Sequence, residues 1–442
     1  MSQYKPYPAY RDSGVEWIGQ VPEHWQVTPL KVIADTVNGA TPESGKPEYW
    51  DGDIAWYTPT DIDNEVASEL GAPRRYITQA GYESCAVKLS PPGSVILSTR
   101  APIGSVGTTT IPSTINQGCR TLIPAQDVPT SYLASTLVAA REELRLRGNG
   151  TTFQELSTEA LRSLRIPMPP FSECVSIASG LDRETTRIDT LITKKTRFIE
   201  LLKEKRQALI THVVTKGLDP NVKMRDSGID WIGEVPEEWS VVQVRHVATL
   251  GSGHTPSRSR PDWWEDCYIP WFTLADIWQV RREGRRFVTE TEEKVSDLGI
   301  ANSSAVVHPA GSVMLSRTAS VGFPAIMGCD MATSQDFAVW RCGSRVVNEY
   351  LYLVLLGMKQ ELSRLMIGST HKTIYMPDIE AFRMPLPPVE QQKLIIQYVG
   401  DELQRFDTLI AKTQLSIDLL KERRSAFITA AVTGQIDLRE AA

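Results

Sequence analysis

This 442-residue chain repeats itself. RDSGVEWIGQVPEHW at 11–25 returns as RDSGIDWIGEVPEEW at 225–239. RIDTLITKKTRFIELLKE at 187–204 returns as RFDTLIAKTQLSIDLLKE at 405–422. In both halves the long stretch follows a proline-rich punctuation, Ile166-Pro167-Met168-Pro169-Pro170 and Met384-Pro385-Leu386-Pro387-Pro388. A duplication of this size limits the fold severely. Whatever the first half builds, the second builds again, so two similar modules related by a pseudo-two-fold axis are expected. The repeat offset is 214 at Trp17/Trp231 and at Thr41-Pro42/Thr255-Pro256, and 215 at Trp56-Tyr57-Thr58/Trp271-Phe272-Thr273. It is 211 if Arg74-Arg75-Tyr76 is set against Arg285-Arg286-Phe287, and 218 from Gln117/Gln335 onward. Constant long stretches with shifting offsets between them describe a scaffold that carries variable loops.

Each half divides in two. Residues 1–165 and 225–383 mix short β-branched runs with Gly, Pro and Ser turns, as in GSVILSTRA at 93–101 and GSVMLSRTA at 311–319. They read as compact α/β modules, each opened by its RDSG segment. YLASTLVAAREELRLR at 132–147 and YLYLVLLGMKQELSRLM at 350–366 each read as one amphipathic helix. Residues 166–224 and 384–442 each carry a long helix free of proline after its start. Leu181, Ile188, Leu202 and Leu209 share one heptad position, interrupted by Lys195, with Leu191 and Phe198 three later. Val399, Phe406, Leu420 and Phe427 repeat the first position, with Leu409 three later. The stripe is wider than a strict coiled-coil seam, so each helix is expected to pack on its twin and on something else. The fold class is therefore mixed α+β: two similar globular α/β modules separated by two long antiparallel helices in a coiled coil. The chain resembles a ring cut once, which predicts that its two ends lie near each other.

Composition narrows the function. Hydrophobic content of 41% and charged content of 23% are those of an ordinary globular protein, and length alone suggests more than one core. No run of eighteen apolar residues suits a membrane span, and MSQYKPYPAYRDSG has no signal-peptide core, so a cytoplasmic location and no membrane partner are expected. The six cysteines form no C-x-x-C pair and lack metal or disulfide spacing. A net charge of −6 excludes a uniformly basic nucleic-acid coat. It leaves local phosphate contacts open.

No catalytic constellation stands out. There is no phosphate-binding G-x-x-x-x-G-K-[ST] loop and no H-E-x-x-H, and the six histidines do not cluster in sequence. Met168-Pro169-Pro170-Phe171 lacks the polar first residue that an amine-methylating loop needs, and reads as a turn into a helix. Asp262 with Glu292-Glu293-Lys294 has a loose nuclease-like spacing that the first half does not reproduce.

The remaining polar clusters suit recognition. Arg281, Arg282, Arg285 and Arg286 lie between Trp278 and Phe287, with Arg74-Arg75-Tyr76 read as their counterpart. Cations interleaved with aromatics suit phosphates at a groove wall, or equally a solvated hairpin. Ser98-Thr99-Arg100 and Ser316-Arg317-Thr318 follow a strand, where an arginine could read guanine. Asn116-Gln117 and Ser334-Gln335 occupy the next turn, where amides suit adenine. Thr151 and Thr152, and Ser369, Thr370, His371 and Lys372, lie in polar loops after the amphipathic helix. Thr41 and Thr255 complete the candidate DNA-contacting set, and no metal-ligating or catalytic residue is assigned. The tryptophan pairs Trp17/Trp25 and Trp231/Trp239 are expected to dock the start of each module onto a helix base.

Together these motifs resemble the specificity subunit of Type I restriction-modification systems. The resemblance is carried by Gly39-Ala40-Thr41-Pro42 and Gly253-His254-Thr255-Pro256, and by Gly93-Ser94-Val95 and Gly311-Ser312-Val313. Asn116-Gln117-Gly118, both proline runs and Glu390-Gln391 add to it. Ser334 and Ser172-Glu173 depart from the pattern. It covers nearly the whole chain and implies a non-catalytic subunit that binds double-stranded DNA. Two target-recognition domains would each read one half of a split, asymmetric sequence, and the helices would act as a ruler for the unspecified spacer. Two methyltransferase subunits and the restriction/translocase subunits would dock on it. S-adenosylmethionine, ATP and Mg²⁺ would belong to those partners, with no cofactor on this chain. The competing readings are a stand-alone nuclease or methyltransferase with its own recognition domains, and a scaffold that binds only protein.

Overall fold

In the computed structural model, residues 4–62, 66–100, 102–148, 154–367 and 372–439 are described. The chain forms two compact units, one of residues 1–195 and 415–442, the other of residues 196–414. Each unit joins one β-rich module to pieces of both long helices, so the division in space cuts through the helices rather than at their ends.

The two modules share one topology. In the first, a five-stranded sheet runs Ala34–Asn38, Cys119–Pro124, Val95–Ser98, Val106–Thr108, Ser68–Glu69. Beside it, Trp50–Tyr57 pairs in parallel with Ser113–Ile115 and antiparallel with Arg75–Ile77. The second module repeats this with Ala248–Ser252, Phe337–Cys342, Val313–Ser316, Pro324–Met327 and Phe287–Val288, and with Ile269–Phe272 between Ala332–Thr333 and Glu293–Val295. Val95–Ser98 and Val313–Ser316 are buried on both faces, so their apolar runs do not alternate. The single amphipathic helix expected in each module is two. Thr130–Ala139 and Arg141–Leu146 meet at Ala140, and Asn348–Gly357 and Lys359–Leu365 meet at Met358.

The proline runs begin as strands. Arg165–Met168 pairs with Gln26–Pro29, and Arg383–Leu386 with Ser240–Gln243. The long helices follow at once, Phe171–Lys216 and Val389–Val432. In the first unit Cys174, Ile177 and Leu181 pack with Phe427, Ile428 and Val432. In the second, Ile210, Val213 and Val214 pack with Ile395 and Val399. The start of one helix therefore meets the end of the other within each unit, and they run antiparallel. Ion pairs join them: Arg424 with Asp189 in the first unit, and Arg206 with Asp407 at 2.8 Å in the second. Leu181, Ile188, Ile199, Leu202, Phe406 and Ile417 face inward, whereas Leu191, Phe198 and Leu409 are exposed.

The tryptophan docking expected from the sequence is present in both copies. Trp25 Nε1 donates to Glu173 at 3.0 Å, and Trp239 Nε1 to Gln391 at 2.8 Å. Glu173, a departure from the sequence pattern, thus makes the bond that Gln391 makes. Each helix ends in a left-handed glycine against that tryptophan, Gly434 (φ 74°) on Trp25 and Gly217 (φ 77°) on Trp239. A side chain there would be strained and would press on the ring. The two ends of the chain meet in the first unit: Asp437 N donates to Lys5 O at 2.9 Å, and Tyr10 Oη to Gly434 O at 3.0 Å.

Candidate nucleic-acid interface

The glycine-threonine-proline motifs close against the loops that hold the candidate amides. A Cβ on Gly39 would overlap the Asn116 carbonyl, and one on Gly253 would overlap the carbonyls of Thr333 and Ser334. Only glycine permits this approach. The backbones then bond, Ala40 N to Ile115 O and His254 N to Thr333 O, both at 3.0 Å. A tryptophan secures each motif from the adjacent sheet: Trp56 Nε1 donates to Ala40 O at 3.0 Å and Trp271 Nε1 to His254 O at 3.3 Å. The closure brings two sequence-distant candidates together. Thr41 Oγ1 donates to Gln117 Oε1, and Thr255 Oγ1 to Gln335 Oε1 at 2.6 Å. Both glutamines are exposed.

Their neighbours turn inward. Asn116 Oδ1 accepts from Gly118 N at 2.9 Å, and Ser334 Oγ donates to Asp336 at 2.9 Å. Both side chains build the turn; buried Ser334 is thereby corrected from a DNA contact to a structural one, while Asn116 stays half-buried with, among the described residues, only its side-chain oxygen engaged. Ser98, Thr99 and Ser316 are fully buried. Ser98 Oγ donates to Pro102 O at 2.6 Å, Thr99 Oγ1 to Gly118 O at 3.2 Å, and Ser316 Oγ accepts from Phe323 N at 3.0 Å. They are corrected to internal turn bonds, because groups at the end of a doubly covered strand must find partners inside.

Arg100 is half exposed and pairs with Glu155 at 3.0 Å. Arg317 donates to Gln335 O at 3.0 Å, so its guanidinium supports the amide-bearing turn. Thr318 is half-buried and bridges to Thr373. In the first unit the support comes from Arg120, which the sequence reading missed. Arg120 Nη1 donates to Gln117 O at 3.0 Å and Nε to Thr158 Oγ1 at 3.0 Å, with Glu155 3.8 Å away. Burial pulls the Arg120 guanidinium below its ordinary value, and Glu155 opposes that.

The proposed equivalence of Arg74-Arg75-Tyr76 with Arg285-Arg286-Phe287 is overturned by strand register. Arg75 pairs with Trp56 and Glu293 with Trp271, so Glu293 is the true counterpart of Arg75. Matching by residue type misled the alignment across an insertion. Arg75 lies over the Trp50 ring at 3.5 Å. In the second unit Arg258 takes that place, 3.8 Å over Trp264, and pairs with Glu293. Each module thus carries a guanidinium on the outer tryptophan of an edge-to-face pair, Trp50–Trp56 or Trp264–Trp271. Arg74 is exposed, with Asp61 accepting from its backbone N–H at 3.1 Å.

Among the four clustered arginines, Arg285 pairs with Glu283 at 2.7 Å and Arg286 with Glu349. Arg286 is corrected to a partly buried structural pair that also lies against Tyr352. Arg281 and Arg282 are exposed, and among the described residues neither forms an ion pair. Lys372 is exposed, its carbonyl bonded to Ala319 N at 2.9 Å. Thr151, Thr152, Ser369, Thr370 and His371 lie outside the described residues.

The nuclease-like carboxylates do not converge. Asp262 pairs with Arg260 at 2.9 Å, Glu293 with Arg258, and Glu292 accepts from Trp278 Nε1 at 3.3 Å. Among the described residues no group of three or more His, Cys, Asp or Glu side chains could hold a metal ion, and no helix is long and apolar enough to cross a membrane. Each module instead presents exposed donors in one neighbourhood, an amide and a stacked guanidinium, suited to phosphates and base edges.

Residues 22–201 and 236–419 match the Type I restriction modification DNA specificity domain. The chain is 27% identical over 431 residues to the MjaIX specificity subunit of a Type I restriction enzyme from Methanocaldococcus jannaschii, spanning 96% of each. It is 36% identical over 185 residues to the EcoprrI specificity subunit of Escherichia coli, covering 40% of this chain and 44% of that one. Among solved structures, a chain from a type I R-M system studied for complex assembly and conformational transition aligns at TM-score 0.70 and 18% identity, over 93% of this chain and 98% of its own. The HsdS subunit from Thermoanaerobacter tengcongensis aligns at 0.54 and 18%, over 94% and 98%. These two likenesses concern the fold.

Proposed function

Since the chain belongs to the Type I restriction modification DNA specificity family, matched in both halves, we propose that its two modules each read one half of a split DNA target. It is the DNA-recognition subunit of such a system and not itself an enzyme. The observation that carries the two-part reading is the duplicated clasp, Thr41 with Gln117 and Thr255 with Gln335. The same exposed amide is presented once per module, on loops of different sequence. Two unlike modules predict two unlike half-sites, so the whole target is not a palindrome.

The exposed apolar residues on the long helices, Leu191, Leu415 and Leu419 in the first unit and Phe198 and Leu201 in the second, support docking of partner subunits on each unit's helices. We assign these helix faces, one in each unit, to two methyltransferase subunits, with the restriction/translocase subunits joining the same assembly. S-adenosylmethionine, ATP and Mg²⁺ belong to those partners in this reading. The long helices are proposed to set the number of unspecified base pairs between the half-sites.

The test is binding of duplex DNA by the full chain co-purified with its methylation subunits, followed across salt. Affinity is expected to fall steeply and linearly on a log-log plot. An affinity for DNA that ignores salt, or a pure chain that methylates or cleaves DNA unaided, would contradict the assignment.

A further inference from the structure

The two modules hold their exposed glutamines in the same way with arginines that are not equivalent. Counted along the repeat, Thr99 corresponds to Arg317 and Arg120 to Ala338, each pair 218 positions apart. The strand register agrees, since Cys119 faces Ser98 as Phe337 faces Ser316. The first module therefore has threonine then arginine where the second has arginine then alanine. Yet Arg120 and Arg317 end on the same atom, the main-chain carbonyl of Gln117 or Gln335, both at 3.0 Å. The positions have exchanged and the bond has stayed.

The side chains of those glutamines are also fixed in one sense. Each Oε1 accepts from a threonine hydroxyl, on Thr41 or Thr255. Among the described residues neither Nε2 has a hydrogen-bond partner. An amide clamped by its oxygen offers its N–H pair outward, and N–H donors pair with acceptors. On the major-groove edge those acceptors are purine N7, guanine O6 and thymine O4. Threonine leaves the second lone pair of each Oε1 free, so adenine, the base that the sequence suggests for these amides, stays among those they suit.

We propose that Gln117 and Gln335 are specificity-determining residues, each donating to one base-edge acceptor in its own half-site, and that Arg120 and Arg317 are positioning residues that fix the turn behind them. This deepens the DNA-recognition reading and rests on it.

The experiment selects sites from a randomised duplex library with the full chain co-purified with its methylation subunits. Gln117→Glu replaces an exposed donor with acceptors. It should cut preference for one base at a single position of one half-site about tenfold, and leave the other half untouched, with Gln335→Glu doing the same in the opposite half. Arg120→Ala should blur that same first-half position, and adding Thr99→Arg, which copies the second module's arrangement, should restore it. Gln→Glu variants that select the wild-type sequence overturn the proposal. So does an Arg120→Ala chain that binds all sequences equally less well and is not rescued by Thr99→Arg. A wild-type complex that selects no sequence at all overturns the underlying DNA-recognition reading instead.

Discussion

The Tyr132 hydroxyl donates to the Pro167 carbonyl at 2.9 Å, and both lie on the seam between the first module and its helix base. Tyr350 repeats the bond to Pro385 at 3.2 Å. Both rings are fully buried, and burial pushes both phenols well above their ordinary range. Tyr132→Phe leaves a buried carbonyl short of a donor, which costs about 1–3 kcal/mol. The first unit of Tyr132→Phe should unfold at lower denaturant than wild type, read by chemical denaturation, while Tyr350→Phe weakens the second. Equal midpoints for all three chains would remove this seam from the account.

Gly39 and Gly253 have no room for a Cβ against the loops of Asn116 and Ser334. Gly39→Ala must move that backbone, at a cost of about 1–3 kcal/mol from overpacking. The expected outcome is lost discrimination in one half-site with the other retained, measured by site selection. Unaltered selection by Gly39→Ala would show that the closure of motif on loop is dispensable.

Arg281 and Arg282 are exposed and lack ion-pair partners among the described residues, so they are the free cations of their cluster. Replacing both with alanine should weaken binding evenly across sequences. It should also reduce the slope of log affinity against log salt by about one per lost phosphate contact. A slope identical to wild type would place them away from the backbone of DNA.

His308 is 9% exposed, and burial, with Arg341 adding to it, lowers its affinity for protons below the ordinary value of 6.5. The unfolded chain therefore binds more protons than the folded one between the depressed value and 6.5. Stability contributed by neutral His308 is complete above that window and lost as pH falls through it. Denaturant titrations at about pH 7.5 and about pH 5 should show a smaller acid loss for His308→Leu than for wild type. An acid loss of the same size in both would assign it to other groups.

The scaffold was legible in the sequence because its signals are local and repeated. Trp25 and Trp239 and both proline runs recur where each module joins its helix base. The interface was legible only in part. Ser98, Thr99 and Ser316 look like surface polar residues, but a strand covered on both faces turns them inward. Arg75 was paired with the wrong partner because an insertion separates residue type from register. Arg120 escaped notice because its counterpart in the repeat is Ala338, and the conserved feature is a bond to a carbonyl that no residue letter records. Gln117 and Thr41 lie 76 positions apart, and only the closure of one loop on another brings them into contact.

The central claim is that two near-copies of one module read two different halves of a DNA target. Mapping methylated sites genome-wide, in a host that expresses this chain with the methylation subunits proposed to dock on it, tests it most directly. The account predicts a single motif of two dissimilar specified halves around an unspecified spacer of fixed length. Replacing residues 225–383 with the corresponding module of a relative should change one half alone. A continuous or palindromic motif, or a replacement that alters both halves together, would contradict it.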